Sequence, residues 1–391
     1  MRFLVALSAL TAVGAVLLSS PAGPYGVSMV VKSLTDKNRT DPYAPKEKRQ
    51  KRQVLVSLFL PVDTKMTAAK KGTISYMTPA VAQHYDVLAA SIGLPNNTFA
   101  SFDIGTSEVV PEPRCGGCRK TNKALPKLPL VLLSPGSGQS RLLYGVMARS
   151  LASEGYAVVT VDHPYEAPLV EFPDGTIVKA ANISDEDIPA LEKMTQVCAD
   201  DMSFVIDQLQ HSKTFAADLC VHKTSINFKQ IVMYGHSLGG ATAAAAMLSD
   251  SRIKGGVDMD GRFFNHVLGK GLDRPFALVG RPDHRSEDET WPEFFSNLRG
   301  SRFEMQVAGA AHGSFTDFPV LIDSLNLPVA MKDAVAQVLG SASGETMDRV
   351  IRGVMVAFCD FVFGKSPVPA ILQKGQTELP EMTVLQSDIR K

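Results

Sequence analysis

From residue 128 onward the apolar and polar positions fall into a regular rhythm. Leu128-Pro129-Leu130-Val131-Leu132-Leu133-Ser134 is apolar on both faces, the pattern of a central strand in a parallel sheet. Apolar residues at 142, 143, 146, 147 and 151 then predict a helix over 141–155. Tyr156 to Val161 reads as the next strand, and Phe172-Pro173-Asp174-Gly175 predicts a hairpin across 170–178. A helix over 190–209 precedes the strand Ile231-Val232-Met233-Tyr234, which runs into an alanine-rich helix over 241–248. Short strands follow at 253–258, 275–280 and 303–307, and helices at 330–339 and 345–363. Strand and helix alternating in this way predict an α/β fold, its mostly parallel central sheet covered by helices on both faces.

The flanks are less regular. Residues 54–61 read as a strand ending at Pro61, whereas 64–127 read as long loops and short helices. The polar tail, 373–391, has little to bury and is expected to be loosely ordered. Between them, 23–372 reads as one domain. At the other end, Met1-Arg2 leads into an apolar stretch from Phe3 to Leu18 and then Ser19-Ser20-Pro21-Ala22. One positive charge, a short apolar run and small residues make 1–22 a secretory signal peptide, with a retained signal anchor as the alternative. Sequons at Asn38, Asn96 and Asn182 fit secretion.

Composition narrows the partners. Formal net charge is +0 over 391 residues, which argues against nucleic acid or a strongly anionic surface as partner. Five cysteines fit an oxidising compartment without demanding it. Cys115-Gly116-Gly117-Cys118 has no second C-x-x-C and no strand-to-helix context, so redox or metal work is disfavoured. Cys198 and Cys220 bracket one helical segment and are candidates for a bridge; Cys359 reads as a buried thiol.

The chemistry lies in Gly235-His236-Ser237-Leu238-Gly239-Gly240. A strand passing through a glycine-flanked serine into a helix is a nucleophile elbow, where small residues two before and two after the serine relieve crowding at a strained turn. Serine needs a base to take its proton and an acid to orient that base. Downstream histidines are His266, His284 and His312, and only His312 lies in a glycine-rich loop just after the last strand, Gly309-Ala310-Ala311-His312-Gly313. For the acid, Asp260 and Asp283 follow neighbouring strands and compete. The oxyanion donors expected are the backbone N–H of Leu238 and that of Ser137, in the loop Ser134-Pro135-Gly136-Ser137-Gly138.

Taken in order, Gly23-Pro24-Tyr25, Ser134-Pro135-Gly136-Ser137-Gly138, Val161-Asp162-His163, Phe172-Pro173-Asp174-Gly175, Gly235-His236-Ser237-Leu238-Gly239-Gly240, Asp258-Met259-Asp260-Gly261 and His312-Gly313-Ser314-Phe315-Thr316-Asp317-Phe318 resemble the secreted platelet-activating factor acetylhydrolases. The resemblance implies a single-domain α/β-hydrolase fold that cleaves short or oxidised sn-2 acyl chains from phospholipids without a cofactor or metal. It implies Ser237 as nucleophile, His312 as base and Asp260, rather than Asp283, as acid, with Ser137 and Leu238 forming the oxyanion hole. The expected partner is a small-molecule or lipid ester, with peripheral contact to a lipid surface. Pro135 and Gly261 depart from the family and are expected near the acyl pocket. A cutinase-like or general carboxylesterase is the alternative enzyme reading. An inactive hydrolase fold used for binding is the alternative outside enzymology.

Overall fold

Nine strands make the central sheet of the computed structural model, which describes residues 14–65, 69–91, 93–109, 126–325, 327–369 and 377–390. In chain order they are β1 (Gly26–Thr40), β2 (Lys51–Val62), β3 (Lys127–Ser134), β4 (Ala157–Asp162), β5 (Ser225–His236), β6 (Ile253–Met259), β7 (Phe276–Gly280), β8 (Arg302–Val307) and β9 (Met382–Asp388). Their spatial order is β1-β2-β4-β3-β5-β6-β7-β8-β9. Strands β3 to β8 run parallel, β2 is antiparallel to both neighbours, and β9 closes the far edge antiparallel to β8.

The two-residue period of the strands builds two cores. Val131, Leu133, Val232, Tyr234, Val257 and Met259 face one side, against α2 (Gly145–Ser153) and α6 (Gly344–Val362). Leu130, Leu132, Ile231, Met233, Phe276 and Leu278 face the other, against α3 (Ile188–His211) and α4 (Leu238–Ser249). Both faces are buried, so the strands read as continuous apolar runs. The α/β architecture is therefore as the alternation predicts, and the hairpin pairs Leu169–Glu171 with Ile177–Lys179.

Three expectations are corrected. The tail is not loose throughout: Met382 is buried, and Val384 packs partly buried where β9 pairs with β8, because an edge strand needs only one covered face. Within 64–127, Ala69–Ser75 and Phe102–Val109 form an antiparallel pair that Val16–Leu17 joins in parallel, and α1 (Pro79–Ser91) connects the two along the chain. The strand Ala69–Ser75 is mostly exposed, so no apolar alternation marks it. Third, Cys198 is a buried free thiol in the middle of α3, so it is not bridged to Cys220, which is disulfide-bonded elsewhere. Cys359 is the buried free thiol expected, while Cys115 and Cys118 lie outside the described residues. Among the described residues no helix is long and apolar enough to cross a membrane.

Candidate active site

Four strand ends converge at the carboxyl edge of the parallel sheet, where open α/β sheets place ligands. Strand β5 ends at His236 and the chain turns through Ser237 into α4, with Ser237 at φ 55° and ψ −123°. This left-handed backbone is costly for a non-glycine residue and is held by its surroundings. A side chain at Gly235 would strike the Gly239 backbone, and one at Gly239 would strike the Ser134 carbonyl, so both flanking glycines are required. The Ser237 amide donates to the Met259 carbonyl at 2.9 Å, tying the elbow to β6.

Asp260 follows β6 directly and also has positive φ, 58°. His312 begins a short 3-10 turn after β8 (His312–Phe315), and its Nδ1 donates to Asp260 Oδ2 at 2.7 Å. The Asp260 side chain is 0% exposed and that of His312 52%, so the carboxylate is sealed behind an imidazole that opens to the cleft. Asp260 Oδ1 accepts the Arg281 amide at 2.8 Å. Burial pushes this carboxyl up, but the neighbouring His284 imidazole, followed by His312 and the Arg281 amide, outweighs burial and holds the carboxyl well below its ordinary range. Asp283 is exposed and turned away; its backbone, at φ 65°, starts α5 (His284–Glu287).

Two cavities meet at Ser237 and His312. One, about 340 Å³, is walled by Ser137, Gln139 and the apolar side chains of Leu191, Leu238, Phe264 and Phe318. The other, about 730 Å³, is lined by charge, with Arg262 and Arg281 alongside Glu287, Glu289 and Glu293. Gly136 and Arg262 line this space, next to Pro135 and Gly261, the two departures noted in the sequence. Gly261 itself packs behind Ser237, where a side chain would strike the Ser237 carbonyl.

The loop 134–141 after β3 is clamped at both ends by the tip of β4. Asp162 accepts from Ser140 Oγ at 3.2 Å and the Arg141 amide at 2.6 Å, while His163 contacts Ser134 Oγ at 3.2 Å and Asp201 Oδ2 at 3.0 Å. Ser134, His163 and Asp201 thus form a second Ser-His-Asp array, but all are at most 1% exposed, and burial excludes it from chemistry on a substrate.

A further chain of hydrogen bonds links this loop to the one that carries His312. The Gly136 N–H donates to Tyr144 Oη at 3.0 Å, Tyr144 donates to His236 Nδ1 at 2.9 Å, and His236 Nε2–H donates to the His312 carbonyl at 3.0 Å. A carbonyl only accepts, so His236 carries its proton on Nε2 and Nδ1 must receive the tyrosine. Burial, and then the neighbouring His312, lower His236 to about 3, which keeps it neutral. Sequence reading did not anticipate Tyr144, His236 or His284 in these roles; only the position of His236 inside the elbow motif offered a signal. Among the described residues no cluster of His, Cys, Asp and Glu is arranged to hold a metal ion.

The chain belongs to the alpha/beta hydrolase family, whose sequence profile matches residues 130–374. It is 25% identical over 390 residues to a probable 1-alkyl-2-acetylglycerophosphocholine esterase of Arthroderma benhamiae, covering 94% of each chain. Platelet-activating factor acetylhydrolase of Cavia porcellus is 24% identical over 213 residues, 49% of each chain. Among solved structures, a ferulic acid esterase from Streptomyces cinnamoneus superposes with a TM-score of 0.72 at 28% identity, covering 96% of this chain and 100% of that one. Fold, family and relatives together define the chain as a carboxylic ester hydrolase.

Proposed function

We propose that the protein is a serine esterase of the acetylhydrolase type, acting on short or oxidised sn-2 acyl esters of phospholipids. Ser237 Oγ attacks the ester carbonyl as His312 Nε2 takes its proton, and Asp260 holds the Nδ1–H and stabilises the imidazolium. The N–H groups of Ser137 and Leu238 receive the developing oxyanion, the latter at the N-terminus of α4. The alcohol leaves with the proton from His312, and water activated by the same imidazole releases the acid. The Gly136-Tyr144-His236-His312 chain holds the oxyanion loop and the base loop at a fixed separation. The observation that carries this reading is the 2.7 Å contact of His312 Nδ1 with a fully buried Asp260, beside a serine on a left-handed elbow.

The two cavities support the substrate class. The smaller, partly apolar one suits a short acyl chain, and the charged one suits a polar alcohol. Similarity to the fungal esterase over 94% of each chain points the same way. A second reading, hydrolysis of aromatic acyl esters, is favoured by the structural neighbour and by Phe264 and Phe318 in the smaller cavity. Export through an N-terminal leader that ends before Val16, which pairs in a sheet, is consistent with a disulfide at Cys220. The deciding experiment offers purified protein a 2-acetyl phosphatidylcholine, methyl ferulate and a polyester film, with Ser237→Ala as control. Phospholipid turnover that disappears in the control is expected. Cleavage of ferulate or film without phospholipid turnover would reject the assignment.

A further inference from the structure

Asp260 faces two imidazoles. His312 takes Oδ2, and His284 brings Nδ1 to 2.8 Å from Oδ1. His284 is the residue after Asp283, at the end of β7, where the competing candidate for the acid was sought. The left-handed turn at Asp283 sends that carboxylate outward and places His284 inside, 6% exposed. The strand end that could have supplied the acid supplies a partner for it instead.

The surroundings of His284 favour its cation. Neither ring nitrogen is aligned with an acceptor along the N–H direction, so the short contact with Asp260 is an ion-pair approach rather than a hydrogen bond. Nε2 lies 3.6 Å from Asp288 Oδ2. The ring lies 4.1 Å from Trp291, centroid to centroid, in reach of a cation–π contact. Other titratable groups face it from each neighbouring element: Asp258 on β6, whose carboxyl burial pushes well up, Arg281 after β7, and Glu287 on α5, which pairs with Arg281 at 2.7 Å. Arg285 is held on Glu304 of β8, and Arg262, Glu289 and Glu293 lie across the cavity. Burial opposes the charge, but Asp260 and Asp288 outweigh it and raise the group to about 9.

We infer that His284 is a positioning residue whose imidazolium is a standing counter-charge on Asp260, offsetting the pull of that carboxylate on the His312 proton and extending the working range to lower pH. The inference rests on the triad proposed above. Two imidazolium ions on one carboxylate repel, so a charged His284 disfavours the protonated, inactive base. A neutral side chain at 284 removes that repulsion and leaves the full field of Asp260 on His312.

The test is the pH profile of kcat/KM for p-nitrophenyl acetate in the wild type and His284→Gln, both first titrated with a fluorophosphonate. Gln fills much of the same space without charge. The acidic limb is expected to move up on the order of one pH unit in the variant. An unmoved limb, or one moved down, overturns the inference, since a merely structural role lowers rate or stability without shifting it. Should the variant not fold, the ¹⁵N shifts of His284 in the wild type decide. Two protonated ring nitrogens at pH 7.5 support the inference, and a neutral ring overturns it. Failure of the wild type to react with the fluorophosphonate refutes the triad itself, a different outcome from labelled protein with an unmoved limb.

Discussion

Replacing Asp260 by asparagine puts a donor at a point where donors converge. Oδ2 faces His312 Nδ1 at 2.7 Å, while Oδ1 accepts the Arg281 amide at 2.8 Å and faces His284 Nδ1 at 2.8 Å. Asparagine has one oxygen for these two sides. With the oxygen kept on Arg281 and His284, its NH₂ meets His312, which must then accept at Nδ1 and carry its proton on Nε2, where the serine needs a base. A wrong tautomer of this kind lowers turnover about ten-thousandfold, on the order of 5 kcal/mol in activation free energy. Stability falls too. His284 keeps Asp288 at 3.6 Å, so weakening this buried pair is expected to cost about 3 kcal/mol, the lower end for such pairs. The assay is kcat on p-nitrophenyl acetate, normalised to folded protein by circular dichroism, with Asp283→Asn alongside. Asp283 is exposed and its positive φ suits asparagine, so that variant should stay within about twofold of wild type. Collapse in Asp283→Asn with activity retained in Asp260→Asn would refute the assignment of the acid.

Two further outcomes follow from the same geometry. Tyr144→Phe leaves the Gly136 N–H and His236 Nδ1 without their shared partner in a buried site, worth about 1–3 kcal/mol. A fall in kcat of roughly tenfold or more, with KM little changed, is expected from steady-state kinetics; lower melting temperature with unchanged kcat would deny the link between the loops. Asp317 is buried under Tyr76 and the amides of Val146 and Met147. Burial raises its carboxyl from 3.8 to about 7 against the pull of those donors. The folded state therefore binds this proton more tightly than the unfolded chain, and the stability it contributes is present below about pH 4 and lost as pH rises through 7, roughly 1.4 kcal/mol per unit. His284 acts in the same direction up to about pH 9, so the informative quantity is the difference between proteins. Melting temperature should fall less between pH 5 and 7 in Asp317→Asn than in the wild type, and parallel curves would contradict the account.

The parallel sheet was legible because burial on both faces leaves continuous apolar runs, as in Leu130 to Leu133 and Ile231 to Tyr234. The strand Ala69–Ser75 and the edge strand β9 were not, since a surface strand carries little apolar pattern and is defined by its partners. At the site, Ser237 and His312 were marked by glycine-rich contexts that the backbone requires. Asp260 could not be separated from Asp283 by strand position alone; the direction of each side chain at a left-handed residue decides which reaches His312. His284 reaches Asp260 from 24 positions away and Tyr144 reaches His236 from 92, and no local spacing encodes either contact.

The central claim, that Ser237 is an activated nucleophile, is tested most directly by reaction with a fluorophosphonate followed by mass spectrometry of the intact protein and its peptides. The account predicts one adduct per chain, on the peptide carrying Gly235-His236-Ser237-Leu238-Gly239, absent in Ser237→Ala and strongly slowed in Asp260→Asn. Equal labelling of Ser237→Ala, or an adduct on another residue, would contradict it.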